Sequence, residues 1–337
     1  MTTTASHPPN PGRFFDALQA YQQTEALKTA IELELFTAIA EGNTTTDALA
    51  TRCQAAERGV RILCDYLTIR GFLIKEESAY GLSQDSAIFL NRHSPAYLGG
   101  TTEFLLTARL REGHARMTEA VRRGGTALGE GTLEHENPDW VKFAQAMMPM
   151  MYMPSEIVAA ELRKGGEVHK VLDIAASHGI FGISVAKQNP SAQIYAADWK
   201  NVLEVATKNA EAMGISDRYH LIPGNAFETD FGSSYDLVLI PNFLHHFDPA
   251  TCTAFMRKVH AALAPGGRAA IVEFVPNPDR ISPPNAAGFS MTMLISTPTG
   301  DAYTFAELED FSKNAGFARV ELVPAEIGIS RLVVAYK

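Results

Sequence analysis

Cysteine is scarce in this chain of 337 residues: there are three, Cys53, Cys64 and Cys252, scattered and odd in number. No CxxC pair and no Cys/His cluster occurs, so neither a disulfide framework nor a structural zinc site is indicated, and no metal is expected. Positive charge is also in short supply. The 29 Lys and Arg face 38 Asp and Glu, a formal net charge of −9, which argues against nucleic acid or an anionic membrane as partner. Long apolar runs are missing: the stretch 31–40 is interrupted by Glu32 and Glu34, and nothing is fit to span a bilayer. Residues 1–11 are polar and Pro-containing, without the charged-then-apolar layout of a secretory signal; the scattered cysteines make a reducing cytoplasm the expected location. Neither phosphate-cradling loop, G-x-G-x-x-G or G-x-x-x-x-G-K-[ST], is present.

What is present changes character along the chain, and three segments are expected: 1–105, 106–160 and 161–337. In the first, Leu27, Ile31, Leu35 and Ile39 recur at helical spacing up to Gly42-Asn43. A short helix from Thr46 to Cys53 and another from Glu57 follow, the latter stopped by Gly71. Two short strands around a polar turn, 72–75 and 80–83, complete a winged-helix outline. Such an outline suggests DNA, but residues 1–100 hold eight Lys/Arg against eleven Asp/Glu, the wrong sign for a phosphate footprint. A packing or dimerisation module is the better reading.

The middle segment has a basic helix over 108–123, a Gly-rich connection over 124–131, and a helix over 140–153. Five of the eleven methionines fall in that helix, at 147, 148, 150, 151 and 153. Methionine is soft and adaptable, and such a cluster serves a pocket for a flat ligand or a buried inter-domain helix equally well.

From Lys170 strands and helices alternate. Strands are expected at 170–175, 193–197, 220–223, 236–240, 268–274, 318–323 and 331–336, with helices at 180–188, 202–213, 251–263 and 305–315. This is an α/β pattern, a Rossmann-like seven-stranded sheet covered on both faces. The turn containing Gly328 makes the last strand antiparallel.

In such a sheet, ligands bind beyond the carboxyl ends of the strands at the switch point. The first strand runs through Asp173 into Ala175-Ala176-Ser177-His178-Gly179, small residues that let backbone approach a ligand. Asp173 would repel a pyrophosphate and suits a ligand bearing an ammonium group. The second strand leads to Asp198, placed to accept hydrogen bonds from ribose hydroxyls.

These residues, together with Gly224-Asn225-Ala226-Phe227, Leu244-His245-His246-Phe247, 263–268, Glu273 and Ala315-Gly316-Phe317, give the chain its resemblance to a known family. It resembles the class I S-adenosylmethionine (SAM)-dependent small-molecule O-methyltransferases of plants and bacteria, with their N-terminal winged-helix dimerisation domain. The resemblance implies SAM as methyl donor, a homodimer and a small-molecule acceptor. It implies that the turn from Asp173 through Ala175 and Ser177 to Gly179 holds the amino-acid part. Asp198 with Trp199 would take the ribose; Asn225, Ala226, Phe227 and Asn242 would take the rest. Three departures stand out. Ala175 and Ser177 occupy usual glycine positions, Asn225 and His246 stand where Asp is usual, and the family's second supporting acid falls on Ala302. Asp301 and Tyr303 are the neighbours placed to substitute for that acid.

Methylating a hydroxyl needs a proton acceptor, and a neutral imidazole suits the task. His245, just after the fourth strand, matches the family's catalytic histidine, and Glu273 one of its supporting acids. The bland alternative is that His245 or His246 only caps the next helix, although Asp248-Pro249 is the better cap. His178 and His260 read as surface or packing residues. Phe143, Met147, Met150, Met151, Phe289, Met293 and Tyr303 form the expected acceptor contacts, an apolar and aromatic set suited to flat acceptors. The rival readings are C- or N-methyl transfer on the same scaffold, and a winged-helix regulator that senses SAM or a metabolite.

Overall fold

The computed structural model describes residues 10–129, 132 and 137–337. The chain divides into two compact units between residues 102 and 103, so the expected segment 106–160 belongs to the second unit. Part of the Gly-rich connection, residues 130 and 131, lies outside the described residues.

The first unit runs α1 (Gly12–Glu32), α2 (Leu35–Ala40), α3 (Thr46–Arg52), α4 (Glu57–Ile69), hairpin β1 (Leu73–Glu76) and β2 (Ala79–Leu82), then α5 (Gln84–Phe89). Its core gathers Leu35, Phe36, Leu49, Cys64, Leu67 and Tyr80. The continuous periodicity of 27–39 belies a break. Glu34 adopts a left-handed φ of 53°, and the chain restarts as α2. Such a conformation costs a non-glycine residue about 1 kcal/mol. Here the Glu34 carboxylate is bound by Arg52 at 3.3 Å and Arg92 at 3.4 Å.

Helix α6 (Thr102–Leu105) starts at the boundary, and the second unit continues with α7 (Ala108–Ala115) and α8 (Met117–Arg123). The single basic helix expected over 108–123 is thus two, broken at Arg116. Gly113 lets α7 approach closely, for a Cβ there would meet the Ile295 carbonyl at 3.0 Å. Helix α9 (Asp139–Arg163) extends well past the expected end, through Pro149 and Pro154.

The sheet comprises β3 (Lys170–Ile174), β4 (Gln193–Asp198), β5 (Tyr219–Pro223), β6 (Tyr235–Pro241), β7 (Leu263–Glu273), β8 (Arg319–Leu322) and β9 (Arg331–Tyr336), in the order β5-β4-β3-β6-β7-β9-β8. All pairs are parallel except those of β9, which runs against β7 and β8. Between strands lie α10 (Ile180–Gln188), α11 (Lys200–Ala212), α12 (Pro249–Ala262), α13 (Pro284–Ser296) and α14 (Phe305–Asn314).

Strand side chains alternate between two cores, as the period of two demands. Val171, Leu237, Leu239, Ala270, Val272 and Leu332 pack with Val158, Leu162, Phe181 and Leu203 from α9, α10 and α11. Leu172, Ile174, Val238, Ile240, Ile271 and Val333 pack with Phe255, Met256, Leu308 and Phe311 from α12 and α14. Each such fully buried aliphatic side chain contributes roughly 1.5–3 kcal/mol, so the central strands form a rigid base for whatever projects from their carboxyl ends. Helix α13 is not among the helices expected above, and it begins at the second of two consecutive prolines. Pro284 opens the helix, where its missing N–H costs nothing.

Candidate active site

The loop after β3 carries three left-handed residues in alternation: Ala175 (φ 52°), Ser177 (φ 53°) and Gly179 (φ 74°). The turn therefore keeps a glycine-type backbone although two of those residues have side chains. Only Gly179 is sterically compelled, since a Cβ there would lie 2.5 Å from the Tyr219 hydroxyl. Beneath the turn, fully buried Asp173 accepts the Gly182 N–H at Oδ2 (3.0 Å), and this fixes the start of α10. Burial, with Asp198 nearby, pushes its carboxyl well above the usual range. Asp173 and Gly179 shape the turn from behind; neither lines the cavity in front of it.

Asp198 closes β4 at the same edge. Its Oδ2 accepts the Ser177 N–H (2.8 Å) and its Oδ1 the Trp199 N–H (2.7 Å). Burial raises its pKa to about 6. Asn225 uses one lone pair of Oδ1 on the Phe227 N–H at 3.0 Å. Phe227, Phe243 and Phe247 make an aromatic cluster, with Phe227 and Phe247 centroids 4.8 Å apart. Asn242 follows β6 with a φ of 52°. Four buried side-chain atoms lack a hydrogen-bond partner among the described residues: Asp173 Oδ1, Ser177 Oγ, Tyr219 Oη and Asn242 Oδ1. Orphaned buried groups cost about 1–3 kcal/mol each; of the four, Ser177 and Asn242 line the cavity and are placed for a polar ligand. Small residues, orphaned acceptors, a buried carboxylate and an aromatic shelf together fit an adenosyl amino acid.

The chemistry-bearing residues stand on a single 3-10 turn, Leu244–His246, between β6 and α12. His245 Nδ1 lies 2.6 Å from Glu273 Oε2, and the His245 backbone N–H donates to Glu273 Oε1 at 3.3 Å. Both side chains are buried. A carboxylate at Nδ1 favours the tautomer that leaves Nε2 bare toward the cavity. Neither histidine is needed as a helix cap, for Asp248 accepts the N–H groups of Ala250 and Thr251.

His246 is also buried. Desolvation, then the adjacent His245, holds its pKa well below the ordinary imidazole range. Its Nδ1 sits 3.3 Å from Thr132 Oγ1 and its ring meets Trp140 edge to face at 5.4 Å. His178 is not at the surface: it is buried in the cavity wall, accepts the Ile180 N–H at Nδ1 (3.2 Å) and stacks on Phe143. Desolvation lowers its pKa to about 4.

One cavity of about 720 Å³ joins these elements. The last residue of β4 and the loops after β3, β4, β5 and β6 supply Ala175, Ser177, Asp198, Trp199, Asn225, Ala226, Phe227 and Asn242 to its wall; α9 and α13 supply Phe143, Met147, Met150, Met151, Phe289 and Met293, with His245 also in the wall. Tyr303 is a correction. It is buried in the core beside Phe311, and its hydroxyl donates to the Phe247 carbonyl, so it lines nothing. Asp301 does not replace the second acid, since it is paired with Arg280 at 3.3 Å. Ala302 packs with Phe274 and Phe289, which stack at 3.7 Å, and Phe289 meets His245 edge-on at 4.9 Å. Aromatic surface occupies the place of that acid.

Trp140, Phe243, Phe274, Asn285 and Thr292 line the cavity and escaped the sequence reading. Trp140 had a signal, since it precedes Phe143 by one helical step. Asn285 and Thr292 belong to the unrecognised α13. Among the described residues no group of three or more His, Cys, Asp or Glu could hold a metal ion, and no helix is long and apolar enough to cross a membrane.

Comparison with known proteins places this fold. A sequence profile of the O-methyltransferase domain matches residues 115–318, and one of the O-methyltransferase dimerisation domain matches residues 15–92. The chain belongs to the O-methyltransferase family and is a SAM-dependent methyltransferase. It is 27% identical to 3-hydroxy-5-methyl-1-naphthoate 3-O-methyltransferase of Streptomyces sahachiroi, covering 89% of this chain and 88% of the relative. It is 26% identical to the tetracenomycin polyketide synthesis 8-O-methyl transferase of Streptomyces glaucescens, with 94% of each covered. A crystal structure from Nostoc punctiforme, provisionally described as an O-methyltransferase, superposes with a TM-score of 0.96 at 51% identity, covering 98% of this chain and 100% of that one.

Proposed function

We propose that the enzyme methylates a hydroxyl of a flat, largely hydrophobic aromatic small molecule, with His245 as general base and Glu273 as its positioning partner. The observation that carries this reading is the 2.6 Å contact between His245 Nδ1 and Glu273 Oε2 in the wall of the cavity that also holds Asp198. SAM, when bound, supplies an electrophilic methyl on a sulfonium. Asp198 offers its remaining lone pairs to the ribose hydroxyls, with Trp199 beside it. Asn225, Ala226 and Phe227 receive the adenine. The turn from Ala175 to Gly179, with Ser177 Oγ and Asn242 Oδ1, holds the amino-acid part, and Asp173 keeps that turn in place from behind.

At the other end, Phe143, Met147, Met150, Met151, Phe289 and Met293 shape a soft apolar slot that orients a ring. His245 Nε2 takes the proton as the acceptor oxygen exchanges its bond to hydrogen for one to carbon. Glu273 then stabilises the resulting imidazolium. Such positioned proton transfer typically contributes 10²–10⁴-fold. This base needs no metal.

We also read the first unit as the seat of a homodimer. The matched dimerisation profile supports this, as do Phe14, Phe15, Leu18 and Tyr21, which α1 leaves exposed on the single chain. Three buried free thiols accord with a cytoplasmic location. Purified protein with labelled SAM, offered phenolic, polyketide and isoprenoid acceptors, tests the reaction. Absence of SAM or S-adenosylhomocysteine (SAH) binding by calorimetry would sink the reading.

A further inference from the structure

His246 stands where the family usually has Asp, and the proposed reaction gives it no part. Its surroundings are nonetheless specific. The ring lies beside His245, centroids 4.3 Å apart, and forms part of the same cavity wall. Thr132 Oγ1 engages Nδ1 and the Trp140 ring fixes the orientation. Nε2 is then the one ring atom able to hydrogen-bond that has no protein partner among the described residues. In one tautomer it donates to a carbonyl; in the other it accepts from a hydroxyl. Either way it calls for an oxygen on the acceptor, adjacent to the oxygen facing His245.

The rest of the wall narrows the class further. Among the described lining residues Asp198 alone carries a formal charge, and it sits at the cofactor end. The polar groups toward the acceptor, Thr132, Asn285, Thr292 and Ser296 with the two histidines, are hydroxyls, an amide and imidazoles. Arg109 and Asp139 line an adjoining hollow of about 20 Å³ that shares Phe104, Leu110, Thr132, Trp140 and Ser296 with the cavity; Asp139 pairs with Lys142 at 3.0 Å, and Arg109 is itself engaged. Among the described residues lining the acceptor side, a carboxylate or ammonium would meet no counter-charge, and burying it unpaired is costly.

We infer that His246 and Thr132 form an oxygen-recognition subsite, so that the acceptor is a neutral flat ring carrying a second hydroxyl or carbonyl on the position next to the hydroxyl that is methylated. This rests on the proposed acceptor class and adds the pattern of oxygens to it. The low pKa of His246 agrees, since a neutral ring serves a neutral oxygen best.

The test uses the full chain, SAH-loaded for binding and SAM-loaded for turnover, with a matched set of naphthalenes. The probes are 2-naphthol, 2,6-dihydroxynaphthalene, 2,3-dihydroxynaphthalene, 2-hydroxy-1-naphthaldehyde and 3-hydroxy-2-naphthoate. The two neutral probes with neighbouring oxygens should bind about tenfold tighter than 2-naphthol and the 2,6-diol, the worth of one good hydrogen bond. They should show the same ratio in kcat/KM, carried by KM. The ratio should fall toward one in His246→Ala and survive in part in His246→Asn, with calorimetric SAH affinity reporting that each variant is folded. Between the two preferred probes, a winner with the aldehyde identifies Nε2 as donor and one with the diol as acceptor; both support the subsite. No preference in the wild type, a preference kept by His246→Ala, tightest binding of the carboxylate probe, or no binding of any probe would each overturn it. If the binding preference appears without methylation, the subsite stands and the proposed reaction fails.

Discussion

At the turn 175–179 the cavity is walled by backbone held in left-handed conformations, with buried polar atoms left unpaired. At the α9 and α13 end it is walled by side chains, apolar and aromatic, from elements far apart in sequence. The first end carries strain and desolvated charge; the second carries shape. The difference teaches where selectivity resides. On the proposed reading, a cofactor common to many enzymes is held largely at main-chain turns, whereas an acceptor particular to one is held by exchangeable side chains.

The largest effect should come from separating the two ends chemically. His245→Ala is expected to cut methyl transfer by about 10²–10⁴-fold while SAH affinity, measured by calorimetry, stays put. An unchanged rate for an identified hydroxyl acceptor would remove His245 from its role.

Next is an effect of pH on stability. His178 is held neutral, its pKa lowered from 6.5 to about 4 by desolvation. The unfolded chain therefore binds its proton first as pH falls, so the stability present above pH 6.5 is lost toward pH 4, by about 3 kcal/mol. Asp198 acts oppositely, since its raised folded pKa adds stability as pH falls from about 6. His178→Asn keeps an acceptor for the Ile180 N–H and isolates the first contribution. Denaturant titrations at pH 6.5 and 4 should show the variant losing about 3 kcal/mol less than the wild type. Equal losses would mean that the imidazole is not buried as described.

Asp198→Ala should weaken SAM binding by roughly 10–100-fold, because hydrogen bonds to a charged acceptor are lost at the backbone-built end. If the loss appeared in acceptor KM instead, the division between the two ends would be misplaced. The smallest effect belongs to the turn itself. Ala175→Gly relieves a left-handed conformation and should raise stability by about 0.5–1 kcal/mol, read as a shift in melting temperature.

The same contrast explains what the sequence could reveal. Strand alternation, Asp198, the Ala175–Gly179 turn and the His245–Glu273 pair were legible because each depends on local pattern or on the register of neighbouring strands. Val171, Leu172 and Ile174 announce β3 by composition alone. Trp140, Phe274 and Thr132 were not legible as cavity walls, for they meet only through tertiary packing. Tyr303 shows the converse hazard. Beside Ala302 it looked available for the acceptor, yet its hydroxyl satisfies the Phe247 carbonyl within the core. Glu34 shows another, since apolar periodicity continues across a break at which Glu34 takes a left-handed conformation.

Helix α9 is a rod with two duties. Its leading turns present Trp140, Phe143 and Met147 to the cavity, while Val158, Ala159 and Leu162 near its end are set into the sheet's core. Between them Pro149 and Pro154 remove the hydrogen bonds that the Gln145 and Met150 carbonyls would accept. The two duties meet at Met151, which both lines the cavity and packs in the sheet's core, whereas Trp140 and Phe143 lie at the lining end of the same helix. A lineage could exchange the leading residues and acquire a new acceptor while the trailing ones kept the scaffold fixed. Directed libraries aimed at altered acceptors should be confined to that leading half.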